Sequence, residues 1–345
     1  MAQSSPGLPS SPRLALSGFV GGSGPEAYQF PPSPHSTKNT SLPLQMASPS
    51  NVIIFGATGS VGSAVALKAY QEGAKVTLAM RDPSKPIPTL DDISAEKVQA
   101  DLTKPETVQI AVRRSGAKTA FVYAIQGIPD GMRPTFVALK EGGIEFVVLL
   151  SSFLVQGDRH ATSPTDIVPY VHAKVEIDLE SVFGSRCCAV RPAYFASNVL
   201  QFKDEIAQGE VRLPNPDAEF DWISPKDIGQ VIGMVLAHGT QESFIPLVGP
   251  DRLSVKDALG IISCVLSKEI KITVVGKEQA VKDIQQRGLP EPVARWFVES
   301  VTGPRSFIWD EPDFEVGVDN VWKYTHKTPE RLEQWLEENK DKFTV

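Results

Sequence analysis

Two groups of residues could carry chemistry. Asn51 to Gly62, NVIIFGATGSVG, runs a short apolar stretch directly into Gly56, Gly59 and Gly62, and Tyr170 with Lys174 forms the only Tyr-x-x-x-Lys pair in the chain. Glycines spaced three apart let a backbone turn sharply and let a pyrophosphate approach the amides at a helix start, where the helix dipole favours negative charge. Thr58, Ser60 and Val61 fill the same turn and would share those contacts. Arg81 follows nineteen residues after Gly62. An NAD site usually presents an acid about 20 residues on, so a guanidinium here, helped by Lys85, favours a 2'-phosphate and hence NADP(H). Asp101 could accept from the adenine amine or from backbone amides, or merely cap the helix after Lys104-Pro105.

If helical, Tyr170 and Lys174 share one face a turn apart. The ammonium would then stabilise the phenolate, so that the hydroxyl could exchange a proton with a carbonyl or alcohol while a nicotinamide exchanges hydride, and Lys174 could also hold the ribose. An exposed helix pair is the plain alternative. Ser151 and Ser152 end an apolar run where a hydroxyl could bind a substrate oxygen, or simply close a turn. His172 points about half a helical turn from Tyr170 and reads as a surface or lobe-packing residue.

These groups need elements to position them. Val52 to Phe55 reads as a buried strand and Ser63 to Tyr70 as the helix after the glycine turn. Further strands are expected at 75–80, 98–101, 119–125, 145–152 and 186–191, with helices over 105–114 and 131–141 between them. Such alternation predicts an α/β fold: a Rossmann-type doubly wound parallel sheet covered on both faces. Beyond residue 193 the pattern loosens into helices at 197–208, 226–237, 254–267, 277–287, 290–301 and 328–343, with strand-like pieces at 220–223, 244–248 and 270–275. Residues 194–345 are therefore expected to build a smaller mixed substrate lobe, partly returning to the core of residues 50–193.

With 345 residues and a formal charge of -7, nothing favours nucleic acid or an anionic membrane as partner, and a small-molecule substrate fits best. Three cysteines, Cys187, Cys188 and Cys264, are too few and too poorly spaced for a disulfide framework or a zinc site and suit a reducing, cytoplasmic setting. Residues 1–49, rich in Ser, Pro and Gly with Glu26 as the sole acid, read as a disordered tail; Met46 is a plausible alternative start, and Asn39-Thr40-Ser41 a chance glycosylation match.

NVIIFGATGSVG, AMRDPSK, VVLLSSF, YVHAKVEIDLE, RPAYFASN and WISPKDIGQVIGMVL together resemble the NmrA-like branch of the atypical short-chain dehydrogenases, from about residue 50 to the C-terminus. The resemblance implies a Rossmann core, a preference for NADP(H), and a substrate pocket built by the C-terminal part. It implies that Gly56, Gly59, Gly62 and Arg81 contact the dinucleotide and that Lys174 is the lysine of this branch. The branch includes redox-sensing regulators without the tyrosine as well as reductases, so Tyr170 points to an NADPH-dependent reductase of a carbonyl, imine or activated double bond. A non-catalytic NADP(H) sensor acting through a protein partner is the alternative. Relatives often place Ser or Thr third in the serine run, where this chain has Phe153.

Overall fold

The computed structural model describes residues 50–125, 131–309 and 313–343. The tail over 1–49, expected to be disordered, lies outside the described residues. Strand β1 (Asn51–Phe55) buries Val52, Ile53, Ile54 and Phe55, each burial contributing about 1.5–3 kcal/mol. It passes through the glycine turn into α1 (Ser60–Gln71). The rhythm continues through β2 (Lys75–Met80), β3 (Ala95–Gln99), α2 (Pro105–Ser115), β4 (Thr119–Tyr123), α3 (Arg133–Gly142), β5 (Phe146–Leu150), α4 (Ile167–Phe183) and β6 (Cys187–Pro192).

The chain then leaves the main sheet and comes back to it. Helix α5 (Lys203–Gln208), strands β7 (Glu210–Leu213) and β8 (Glu219–Phe220), and helix α6 (Pro225–His238) lead to β9 (Phe244–Leu247), which joins the main sheet rather than the lobe. The seven strands run in the order β3-β2-β1-β4-β5-β6-β9, all parallel. This is a Rossmann-type sheet with the order reversing beside β1, the place where ligands sit in such folds. Helix α6 returns to pack on α1, with Ile228, Val231, Ile232 and Val235 in one core with Val61, Val65 and Ala69.

The lobe adds β10 (Leu253–Ser254), α7 (Val255–Val265), β11 (Lys271–Val274), α8 (Lys277–Gln286), α9 (Glu291–Thr302), α10 (Asp313–Thr325) and α11 (Leu332–Asn339). β10 pairs with β8 and β11 with β7 in two small sheets around Phe220, Trp222, Ile262 and Trp335. The stretch expected as one helix over 197–208 begins as a tight 3-10 turn at Ala196–Phe202. The final helix starts at Leu332, not at Thr328. Among the described residues no helix is long and apolar enough to cross a membrane.

Asp221 fastens the lobe to the ends of two sheet strands. Its carboxylate accepts from the Tyr194 amide at 2.8 Å and the Gly249 amide at 2.9 Å. Burial pushes its pKa up from 3.8 to about 7 in spite of those bonds. Folding therefore takes up a proton between these values: the contribution of Asp221 is full below pH 3.8 and is lost as pH rises to about 7. Replacing it with a side chain that does not titrate should remove this slope. The stability of the wild type relative to Asp221→Asn, measured by urea unfolding at a series of pH values, should fall from pH 4 towards 7; a difference constant across that range would contradict the raised value.

Candidate functional site

Two cavities open at the carboxyl ends of the strands and share Gly56, Thr58 and Tyr123. The first, of 420 Å³, lies between the ends of β1, β2, β3 and β4, with Arg81, Asp82, Lys85 and Asp101 on its wall. The second, also 420 Å³, lies against the start of α1 and is lined by Gly59, Ser60, Val61 and Gly62, then by Leu150, Ser151, His172 and Phe195.

The turn between β1 and α1 has the geometry that its glycines permit. Gly56 has φ +78°, and a Cβ there would lie 2.7 Å from the Tyr123 ring. A Cβ on Gly62 would lie 2.2 Å from the Gly56 carbonyl oxygen, so helix and turn touch backbone to backbone. Gly59 caps α1 with no side-chain hydrogen bond, and the first turn holds no acid. The leading amides and the positive end of the dipole are therefore free to meet an anion.

In the first cavity the loop Arg81 to Lys85 is a folded bend: Asp82 accepts from the Ser84 amide at 3.0 Å and the Ser84 hydroxyl at 2.6 Å. These bonds, first the hydroxyl, hold the Asp82 carboxyl below its usual value. That bend leaves both cations, Arg81 and Lys85, on the cavity wall. Asp101 lines the same cavity. Burial works against its ionisation, but the amide and hydroxyl of Thr103, with Lys104 and Arg81 nearby, together bring its pKa down. It folds its own turn through Thr103 at 2.9 Å, and α2 is capped at Lys104, so the helix-cap alternative does not apply.

The second cavity differs from the sequence expectation. Neither Tyr170 nor Lys174 is on its wall, and no hydrogen bond joins them among the described residues. Lys174 pairs with Asp178 at 2.6 Å on the side of α4 that faces Gly131. The imidazole of His172, read from the sequence as a surface or packing group, is the α4 side chain that reaches the cavity. Ser151 lines it too, but as an expected donor it needs correction: its hydroxyl donates to Glu176 Oε1 at 2.6 Å. Glu176 accepts from Arg191, through Nε at 3.0 Å and Nη2 at 2.6 Å, and is approached by Arg159 at 3.4 Å. Ser151 is thus left with lone pairs only. Ser152 accepts from the Leu154 amide at 3.3 Å and is not on the cavity wall.

Phe153 explains the missing third hydroxyl. It is buried in the lobe core, with its ring 6.4 Å from Phe307 and 6.3 Å from Trp309, so packing has taken the position. Tyr123 and Phe195 were not singled out in the sequence. Tyr123 ends β4, and the rule that ligands sit beyond strand ends would have found it. The Cys187 thiol is pushed up to about 11 and Cys188 to about 12, mainly by burial, which suits packing and not redox chemistry.

This chain is 33% identical over 332 residues to the nitrogen metabolite regulation-like protein bik4 of Gibberella fujikuroi, across 88% of this chain and 97% of that protein. It is 26% identical over 283 residues to the NAD(P)H azoreductase of Xenophilus azovorans, across 79% and 92%. Its fold matches that of the triphenylmethane reductase of Citrobacter sp., solved in complex with NADP(H), with a TM-score of 0.66 at 16% identity over 83% of this chain and 99% of that one. Residues 48–336 match the NmrA-like family, and the chain belongs to it.

Proposed function

We propose that this protein binds NADP(H) and reduces a carbonyl, imine or activated double bond in a small, fairly apolar molecule. One observation carries the reading: a cation-lined cavity and an apolar-walled cavity meet at an uncapped helix start. The residues present suit the dinucleotide. The amides of Ser60, Val61 and Gly62 would meet the pyrophosphate, Arg81 and Lys85 a 2'-phosphate, and Asp101 the adenosine half. Bound there, NADPH would supply hydride. Leu150, Phe121 and Phe195 would exclude water from the reacting face, and Ser151 would offer an acceptor. The proton-donor role expected for Tyr170, and the helper role expected for Lys174, find no support in their placement.

The experiment is NADPH oxidation across a panel of carbonyl, quinone, imine and azo acceptors, with affinities for NADP(H) and NAD(H) measured alongside. Arg81→Ala should weaken NADP(H) by about 10- to 100-fold, on the scale of one charge-assisted bidentate contact, and leave NAD(H) within about twofold. Equal loss for both would argue against a 2'-phosphate contact.

A second reading draws on the placement of Tyr170 and Lys174 off the cavity wall and on the regulation-like relative. In it the protein reports the NADP(H) state to a protein partner without turnover. Such a sensor requires different affinities for the oxidised and reduced cofactor. Equal affinities remove it.

A further inference from the structure

The cavity at the start of α1 holds one imidazole that dinucleotide binding alone leaves without a task. His172 shares its wall with Ser151, Leu150 and Phe195. The ring nitrogen Nδ1 is shielded from solvent and has no hydrogen-bond partner among the described residues. A buried polar atom without a partner is unfavourable, and the residue that carries this one stands on the wall of the cavity.

The helix that carries the ring is held firmly. Glu176, one helical turn further along α4, is joined to Ser151 after β5 and to Arg191 on β6, which fixes the rotation of the helix against the strand ends. His172 and Glu176 are four residues apart and share that face. Burial pulls the His172 pKa down to about 4, with Glu176 working in the other direction. The charged groups around it are Glu176 on its own helix, Arg191 from β6 and Arg159 from the loop before α4, both engaged with Glu176. Tyr123, from β4, is the other titratable side chain on the wall. At neutral pH the ring is therefore uncharged, with one N–H donor and one acceptor nitrogen. Since the Ser151 hydrogen is committed to Glu176, the imidazole supplies the donor that Ser151 does not.

We propose that His172 donates a hydrogen bond from its neutral ring to the sp2 oxygen or nitrogen of the acceptor substrate, held between Leu150 and Phe195. This rests on the reductase reading and gives it its polarising residue. Charge developing on the heteroatom as hydride arrives at the neighbouring atom is met by the ring N–H, and the proton that completes the reduction comes from water. No proton leaves the ring, because a neutral imidazole that lost its remaining proton would become a strongly basic anion.

The test compares the full-length wild type, His172→Leu and His172→Gln, with 1,4-naphthoquinone as the probe acceptor. His172→Leu should lose about 100-fold in kcat, as for removal of one preorganised donor, with NADPH affinity unchanged. His172→Gln keeps an N–H donor and should recover most of that loss. Wild-type kcat/KM should show no break from this group between about pH 5 and 8, the range in which an ordinary histidine titrates. Nitrogen-15 NMR gives a readout without turnover: at neutral pH the His172 ring should show a neutral tautomer, and its signals should move when naphthoquinone is added to NADP⁺-saturated protein. Full turnover in His172→Leu, no recovery in His172→Gln, or an imidazolium at neutral pH would overturn the assignment. If the wild type oxidises NADPH with no acceptor in the panel, the reductase reading fails by itself. The NMR shift on adding naphthoquinone would still uphold the donor, and no shift would overturn it.

Discussion

Gly62→Ala should lower NADP(H) affinity by more than about 100-fold, a cost of roughly 3 kcal/mol, and destabilise the protein as well. The added Cβ would lie 2.2 Å from the Gly56 carbonyl oxygen, 2.6 Å from its carbon and 3.0 Å from the Ala57 nitrogen. All three are backbone atoms, so no side chain can swing aside. Helix α1 would have to retreat from the turn, yet its other side is already in close contact with α6. A Cβ on Gly229 would fall 2.4 Å from Ala64 Cβ, and one on Gly233 2.6 Å from Lys68 Cβ, so the helix is confined on both sides. Overpacking of this kind costs about 1–3 kcal/mol in stability. Calorimetric titration with NADP⁺ and thermal unfolding check the two effects, and wild-type affinity in this variant would count against the turn as the dinucleotide site.

Glu176→Ala should cost about 3–5 kcal/mol, because it leaves Arg191 buried without its partner. Arg191 is 5% exposed and Glu176 2%, so water cannot replace the lost carboxylate. Ser151 loses its acceptor in the same step. For a chain of this size that loss lowers the melting temperature by roughly 4–7 °C. Glu176→Gln, which keeps one acceptor oxygen, should lose less. A drop below about 2 °C for the alanine variant would mean that Arg191 finds another partner and that the network does not fix α4.

Much of the fold was legible because the central strands are buried on both faces and read as unbroken apolar runs. KVTLAM is β2 as expected from its composition. The third strand was read at 98–101 but runs over Ala95–Gln99, since at the sheet edge Glu96 and Gln99 are exposed and Lys97 half-buried, which hides the pattern. Helix α10 left no expectation at all. Its Gly317 is a poor helix former, retained where a Cβ would lie 2.3 Å from Val248.

In the proposed site, the half around the glycine turn was legible for the same local reason: the turn directly follows a strand, and Arg81 lies just past the next one. The other half was not. Helix α4 is apolar on more than one side, with Val171, Val175 and Leu179 on one and Ala173 and Ile177 on another, so its sequence does not say which face meets the sheet. Tyr-x-x-x-Lys suggested one face, and the buried pair Glu176–Arg191 selects the other. That pairing spans two elements, and helical spacing alone does not reveal it.

The packing of α6 on α1 carries a consequence for synthesis. The cofactor turn is finished by residue 62, but the helix that covers α1 is complete only at His238, and the last strand of the sheet only at Leu247. A chain emerging from the ribosome therefore holds Val65 and Ala69 without their cover while about 170 more residues are made. The first element of the site to be synthesised is among the last to be secured, and a nascent chain halted after β6 would present that bare helix face to whatever chaperone is at hand.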